Sequence, residues 1–162
     1  MDRLFRLNLK IVFVVFIIID LLCVAMGMGV PFFCILFGFP IGWYITRRLI
    51  IAEASVRDVL EKEGLYAVVT SIFTFVVMCA IWCPTIPMLF NPHADFVNFG
   101  IPMILYDPKI SFIGWLVLMI FVSPFLQLLT TVFASYLTLL IWFRYRWSST
   151  PIFGANRKAR EC

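Results

Sequence analysis

The segment IVFVVFIIIDLLCVAMGM, residues 11–28, decides the fold class of this chain. It is close to the ~20 apolar residues that a helix needs to cross a bilayer, and Asp20 is its only charged residue. The basic residues before it resemble the start of a secretory signal peptide. Because Asp20 interrupts the apolar run and Ala25-Met26-Gly27 is a poor processing site, we expect a retained first span.

The remainder of the chain continues this apolar character. Hydrophobic residues make up 63% of the 162 residues, and the mean hydropathy is +1.02. Soluble domains are only about half apolar. Runs of this length in lipid satisfy their backbone groups as α-helices. The sequence therefore predicts an all-α membrane protein, a single polytopic domain over residues 1–162, with spans at 11–28, 31–45, 65–83 and 111–143.

The positions of the basic residues predict the orientation of these spans. Of 13 Lys and Arg, 12 lie at the N-terminus, within 47–62, or from Arg144 onward, and the exception is Lys109. Cytoplasmic segments are enriched in such residues, so we predict a four-pass bundle in the cell membrane with both termini and the basic tail 148–162 inside. The clusters flank apolar runs, so the expected partners are anionic lipid head groups and not nucleic acid.

The connecting segments also carry predictions. Pairs of opposite charge at i,i+4, such as Arg57 and Glu61, predict that helix two extends into the cytoplasm over 47–63 and ends at Gly64. The outer loop 88–110 is rich in apolar residues and is predicted to lie along the outer interface.

The last apolar stretch, 111–143, contains Pro124 and allows two arrangements. Two spans are conceivable, but the piece before Pro124 is too short to cross a bilayer. A second crossing would also place the basic tail outside, against the orientation rule. One long helix kinked at Pro124 is the prediction.

Asp20 is the only acidic residue within a predicted span. A carboxylate at that depth costs ~2.5–3.5 kcal/mol on insertion scales, so it should face the bundle or be protonated. Its expected neighbours form two small-polar stripes: Thr70, Ser71 and Thr74 on the third span, and Gln127, Thr131, Ala134 and Thr138 on the last one. The favoured interpretation is a carboxylate that caps a structural polar cluster or helix contact, since no second acid or base is present in a span; a proton- or ion-linked site is the functional alternative.

Sulfur-bearing residues concentrate at the predicted outer end of the first three spans: Cys23, Cys34, Cys79, Cys83, Met26 and Met28. Thiolate and thioether ligands favour Cu(I), and two cysteine pairs could also pass electrons to a quinone. The Cys79-x-x-x-Cys83 spacing is not the C-x-x-C redox motif. The favoured interpretation is that these residues act as small or flexible apolar side chains that fill a core.

Two further motifs have structural interpretations. Gly38 and Gly42 have the G-x-x-x-G spacing that lets helix backbones approach, although Pro40 between them makes a local bend an equal alternative. His93 and Asp95 follow an Asn-Pro pair, which indicates a turn in preference to a metal site. The chain has no known hydrolase, zinc-protease, phosphate-loop or dinucleotide motif, so enzymatic activity is not indicated.

The sequence leaves three function classes open. The first is a non-enzymatic scaffold or accessory subunit of a membrane assembly, favoured by aromatic-rich spans without catalytic motifs. The second is a transport or channel component centred on Asp20, which would need a homo-oligomer or a protein partner to enclose a pathway. The third is an outer-face thiol-redox or copper protein. The sequence does not specify a cofactor.

Overall fold

The computed structural model describes residues 8–26, 32–52, 55–100, 103 and 105–148. All regular elements in these residues are helical, which confirms the predicted all-α class. The described α-helices are α1 (Leu9–Met26), α2 (Phe32–Ile51), α3 (Val56–Trp82), α4 (Pro108–Val117) and α5 (Ser123–Ser148). A 3-10 helix, Cys83–Phe90, follows α3, and a π-helical turn, Leu118–Val122, joins α4 to α5.

Three helical stretches in the described part of the chain are long and apolar enough to cross a membrane. They are Phe32–Ile51 with 20 residues, Val56–Phe90 with 35 and Pro108–Tyr145 with 38. Helix α1 has 18 residues and is not among these three. The described part of the fold thus contains three candidate membrane-spanning helices, while the count of four passes remains a proposal.

The predicted continuation of helix two over 47–63, ended by Gly64, is wrong. Helix α2 ends at Ile51, and α3 begins at Val56 and continues through Gly64. The hydroxyl of Ser55 accepts a hydrogen bond from the Asp58 amide at 3.2 Å, which satisfies an amide at the start of α3. A glycine inside a helix costs only about 1 kcal/mol, so Gly64 does not end it.

The last apolar stretch forms one continuous helical rod from Pro108 to Ser148. Asp107 caps its start by accepting hydrogen bonds from the Lys109 and Ile110 amides at 2.8 and 3.2 Å. The π-helical turn ends at Val122, two residues before Pro124, with the Ser123 amide donating to the Leu118 carbonyl. Proline lacks an amide hydrogen and crowds the preceding turn of a helix. The wider π-helical turn accommodates this disruption without ending the helix.

The outer loop folds over one end of the bundle. The rings of Phe96 and Phe99 each have their centroid 5.2 Å from that of Phe112 on α4. Both rings pack against the main apolar core, which contains Trp82, Trp115 and Met119 among its members. The aromatic residues that suggested an interfacial segment are therefore used, in part, to cover this end of the protein.

Candidate intramembrane polar site

Asp20 lies on the inward face of α1 and is fully buried. The hydroxyl of Thr74 on α3 lies 3.1 Å from each of its carboxyl oxygens, within hydrogen-bonding distance of both. The side-chain amide of Gln127 on α5 donates to Oδ1 at 3.4 Å. The fold therefore brings the predicted acid together with two of its predicted neighbours, contributed by two other helices.

The sequence of α1 explains why Asp20 points inward. Phe16, Asp20 and Val24 follow at intervals of four and are the buried ones among the described side chains of this helix, while Ile18 and Leu22 on the opposite side are exposed. An apolar side chain therefore lies one turn away from the carboxyl on each side. The ring of Phe16 stacks on Phe37 of α2 with centroids 5.8 Å apart, which closes the side nearer the start of α1.

The hydrogen bonds to Asp20 are few for a charged carboxylate. Its described donors are one hydroxyl group and one side-chain amide, and the amide lies near the upper limit of hydrogen-bond distances. The two oxygens of a carboxylate offer about four acceptor positions. The Gln127 Oε1 atom is also buried and has no hydrogen-bond partner. Since a buried charge is stable only when it is paired, a proton or a small cation would complete this arrangement.

The remaining members of the α5 stripe are buried but do not reach Asp20. The hydroxyl of Thr131 donates to the Gln127 carbonyl at 2.8 Å, and that of Thr138 donates to the Ala134 carbonyl at 2.7 Å. Such bonds to the preceding turn satisfy a hydroxyl within its own helix. The stripe is therefore a buried polar face and not one connected hydrogen-bond chain.

Gly38 and Gly42 face α5 at a close contact between two helices. A Cβ at Gly38 would collide with the Thr130 hydroxyl and the Gln127 carbonyl, and one at Gly42 with the Thr131 carbonyl. The Thr130 hydroxyl donates to the Ile35 carbonyl across this contact at 2.7 Å. The motif is used for packing within the chain, and it positions the helix that carries Gln127.

A second buried acid, Glu63 on α3, is missing from the sequence-based predictions. It is 4% exposed and belongs to the inward face of α3 with Ala67, Thr70, Thr74 and Met78. These positions follow helical spacing, so extending the Thr70 and Thr74 stripe toward the start of the helix would have found it. The burial of Glu63 was not predicted, because the charged residues beside it indicated a solvated helix.

The described sulfur-bearing residues lie in different environments. Cys34 is fully buried in the apolar core with Met78, whereas Cys83 is exposed. Met26 is 70% exposed, and Met28 lies outside the described residues. Among the described side chains, no group of three or more His, Cys, Asp or Glu could hold a metal ion. The described thiols are free, and Cys23 and Cys79 pack at the edge of the core.

His93 and Asp95 lie in the outer loop and are exposed. The His93 amide donates to the Asn91 side chain at 3.0 Å, which closes a turn. Asp95 accepts hydrogen bonds from the Asn98 side chain at 2.6 Å and from the Val97 and Asn98 amides. The bonds from Asn98 lower the pKa of the Asp95 carboxyl, so this acid organises the loop as an anion.

Comparison with known proteins found no matching family model, no matching curated relative and no matching solved structure.

Proposed function

We propose that this protein is a small integral membrane transport component in which Asp20 binds and releases a proton inside a four-pass helical bundle. The supporting observation is a fully buried carboxyl group whose described hydrogen bonds come from Thr74 and Gln127 alone. An ionised carboxylate in apolar surroundings is costly, and protonation removes that cost. Intramembrane acids in such settings are characteristic of proton relays.

The directions of the helices support the proposed orientation, with both termini in the cytoplasm. Helices α2 and α5 run in parallel, because Gly38 lies beside Gln127 and Gly42 beside Ser135. Arg48 near the end of α2 and Arg144 near the end of α5 therefore lie toward one end of the bundle. Helix α3 begins at that end, since few residues separate it from α2.

Helix α1 fits the same orientation. It runs parallel to α3: Phe16 contacts Phe73, and further along both helices Val24 belongs to the same core cluster as Met78. Lys10 thus lies toward the basic end, where we propose contact with anionic lipid head groups in the cell membrane. At ~1.5 Å per residue, the 18 residues of α1 extend about 27 Å, close to a bilayer core, which supports its inclusion as the first pass.

The packing of α1 suggests how a buried carboxyl could exchange its proton. Helix α1 contacts α2 and α3 much less extensively than α2 contacts α5. Loosely packed elements open at lower free energy than the rest of a fold. We propose that a shift of α1 relative to the α2–α5 pair exposes Asp20, and that a second copy or a partner completes the pathway.

The test is proton flux into liposomes that contain the purified full-length protein and an entrapped pH-sensitive dye, under a membrane potential set by potassium and valinomycin. Asp20→Asn keeps the shape of the side chain but cannot exchange a proton. We expect it to lower the protein-dependent flux by roughly tenfold or more. The control is Asp58→Asn, which removes an exposed acid of α3 and should leave the flux unchanged.

Unchanged flux in correctly folded Asp20→Asn protein would rule out the proposed site. A flux that follows sodium and not protons would show that Asp20 binds a metal cation, which contradicts the proton assignment. No flux above that of empty liposomes, in wild-type protein, would refute a transport role for the protein alone.

A second candidate, an accessory subunit of a membrane assembly, is favoured by one surface feature. A groove of about 340 Å³ lies between α2 and α5 and is almost entirely apolar; it is lined by Phe39, Pro40, Trp43, Ala134, Leu137 and Thr138. A partner's transmembrane helix could seat side chains there. Native mass spectrometry of gently extracted protein would detect that partner, and Leu137→Trp, which fills the groove, should remove it.

A further inference from the structure

Glu63 is a buried acid in a part of α3 that is otherwise exposed and charged. Its side chain is 4% exposed, whereas Glu61 and Lys62 immediately before it are exposed. Burial of a carboxyl group beside freely solvated charges is not needed for helix formation or for orientation in the membrane. A side chain so placed, with no ion-pair partner among the described residues, requires another explanation.

The surroundings of Glu63 are polar and incompletely satisfied. The Ser135 hydroxyl on α5 donates to the Gly42 carbonyl at 3.2 Å and lies beside the Glu63 carboxyl group, whose Oε1 is buried without a hydrogen-bond partner. Thr46 follows Gly42 by one turn on the same face of α2, is fully buried and has no partner for its hydroxyl. Three helices thus supply polar groups near this end.

Buried polar side chains of α3 and α5 lie between Glu63 and Asp20, and together they are called the polar seam below. On α3, Thr70 lies between Glu63 and Thr74 on the same face. On α5, Thr131 lies between Ser135 and Gln127 and is fully buried. Glu63 and Thr74 are 11 positions apart, so at ~1.5 Å per residue the two acids are separated by about 16 Å along the bundle, half the thickness of a bilayer core.

We propose that Glu63 is a second proton-binding site, at the basic, cytoplasmic end of the bundle, which exchanges protons with Asp20 along the seam between α3 and α5. This inference rests on the proposed function of Asp20. The proton leaves the Asp20 carboxyl group for a water molecule that enters the seam, and a proton passes from water to the Glu63 carboxylate; one O–H bond is broken and one formed, without redox change.

The other charged and titratable groups toward this end do not share the buried position of Glu63. Among the described residues they are Lys10, Tyr44, Arg47, Arg48, Arg57, Asp58, Glu61, Lys62, Tyr66, Arg144 and Tyr145. Arg48 comes closest, with a buried and unpaired Nη1 on the helix that carries Thr46. The face of α5 opposite Glu63 contributes hydroxyl groups only, from Ser135 and Thr138. Glu63 is therefore the acid through which a proton would enter or leave the seam.

The experiment compares Glu63→Gln with Glu61→Gln in the same liposome assay, using full-length protein. Glu61 is exposed and two residues away, so it is a matched control for loss of one acid from α3. We expect roughly tenfold less proton flux for Glu63→Gln, wild-type flux for Glu61→Gln and partial recovery for Glu63→Asp. Infrared difference spectra on a pH step should lose one carboxyl band in Glu63→Gln and a different band in Asp20→Asn.

The outcomes separate the two proposals. If Asp20→Asn loses flux while Glu63→Gln retains both flux and every titrating carboxyl band, the role of Glu63 is overturned and that of Asp20 stands. If wild-type protein carries no protons, the proposed function fails and the Glu63 relay fails with it. Elution of each variant at the wild-type position in size-exclusion chromatography separates loss of flux from loss of fold.

Discussion

Replacing Gly42 by alanine should destabilise the bundle by about 3 kcal/mol, the upper end of the usual cost of overpacking, because the new methyl group has no space. It would collide with the backbone carbonyl of Thr131 and crowd the Ser135 hydroxyl. A backbone atom cannot move aside as a flexible side chain can. In lipid, close packing holds helices together without help from the hydrophobic effect, so separating α2 from α5 removes a main source of stability.

Gly64→Ala is the matched control for this prediction. A Cβ at Gly64 meets nothing within 4 Å, and alanine is the better helix former by about 1 kcal/mol. Reversible unfolding in mixed detergent micelles should therefore show Gly42→Ala less stable and Gly64→Ala equal to or more stable than wild type. Wild-type stability of Gly42→Ala would mean that α2 and α5 are not in this close contact.

Replacing Thr74 by valine should cost about 1–3 kcal/mol, because the valine removes the only hydroxyl that donates to Asp20 among the described residues. Thr74→Ser keeps the hydroxyl and should lose much less stability. Thr70→Val is the control, since the Thr70 hydroxyl bonds to the Tyr66 and Ala67 carbonyls of its own helix and not to Asp20.

A double-mutant cycle of Thr74→Val with Asp20→Asn measures the interaction itself. Hydrogen bonds between membrane helices average only about 0.6 kcal/mol in such cycles. Bonds to a charged group contribute about 1.5–3 kcal/mol. A coupling energy near the smaller value indicates a protonated Asp20, as the proposed function requires at rest. A value in the larger range would mean that Asp20 rests as an anion, and no coupling would contradict the contact.

The sequence alone was sufficient for the helical class and for the identity of the central acid. Long apolar runs admit only helices in lipid, and a single carboxyl group within such a run must turn toward other polar side chains. Thr74 and Gln127 could be named as its neighbours because few polar residues occur at a matching depth in the other apolar runs. These inferences depend on composition and on position along the chain, which need no knowledge of how the helices are arranged.

Only the tertiary structure decided which helix faces meet. The burial of Glu63 follows from the rotation of α3 against α5, whereas its charged neighbours in sequence suggested solvent. The partner of Gly38 and Gly42 is α5 of the same chain, which a G-x-x-x-G pattern cannot distinguish from a second copy. The break before α3 depends on a cap at Ser55 that competes with helix continuation by small energies. Solvation and backbone satisfaction are governed by local sequence, but contact between distant segments depends on the relative rotation and depth of whole helices.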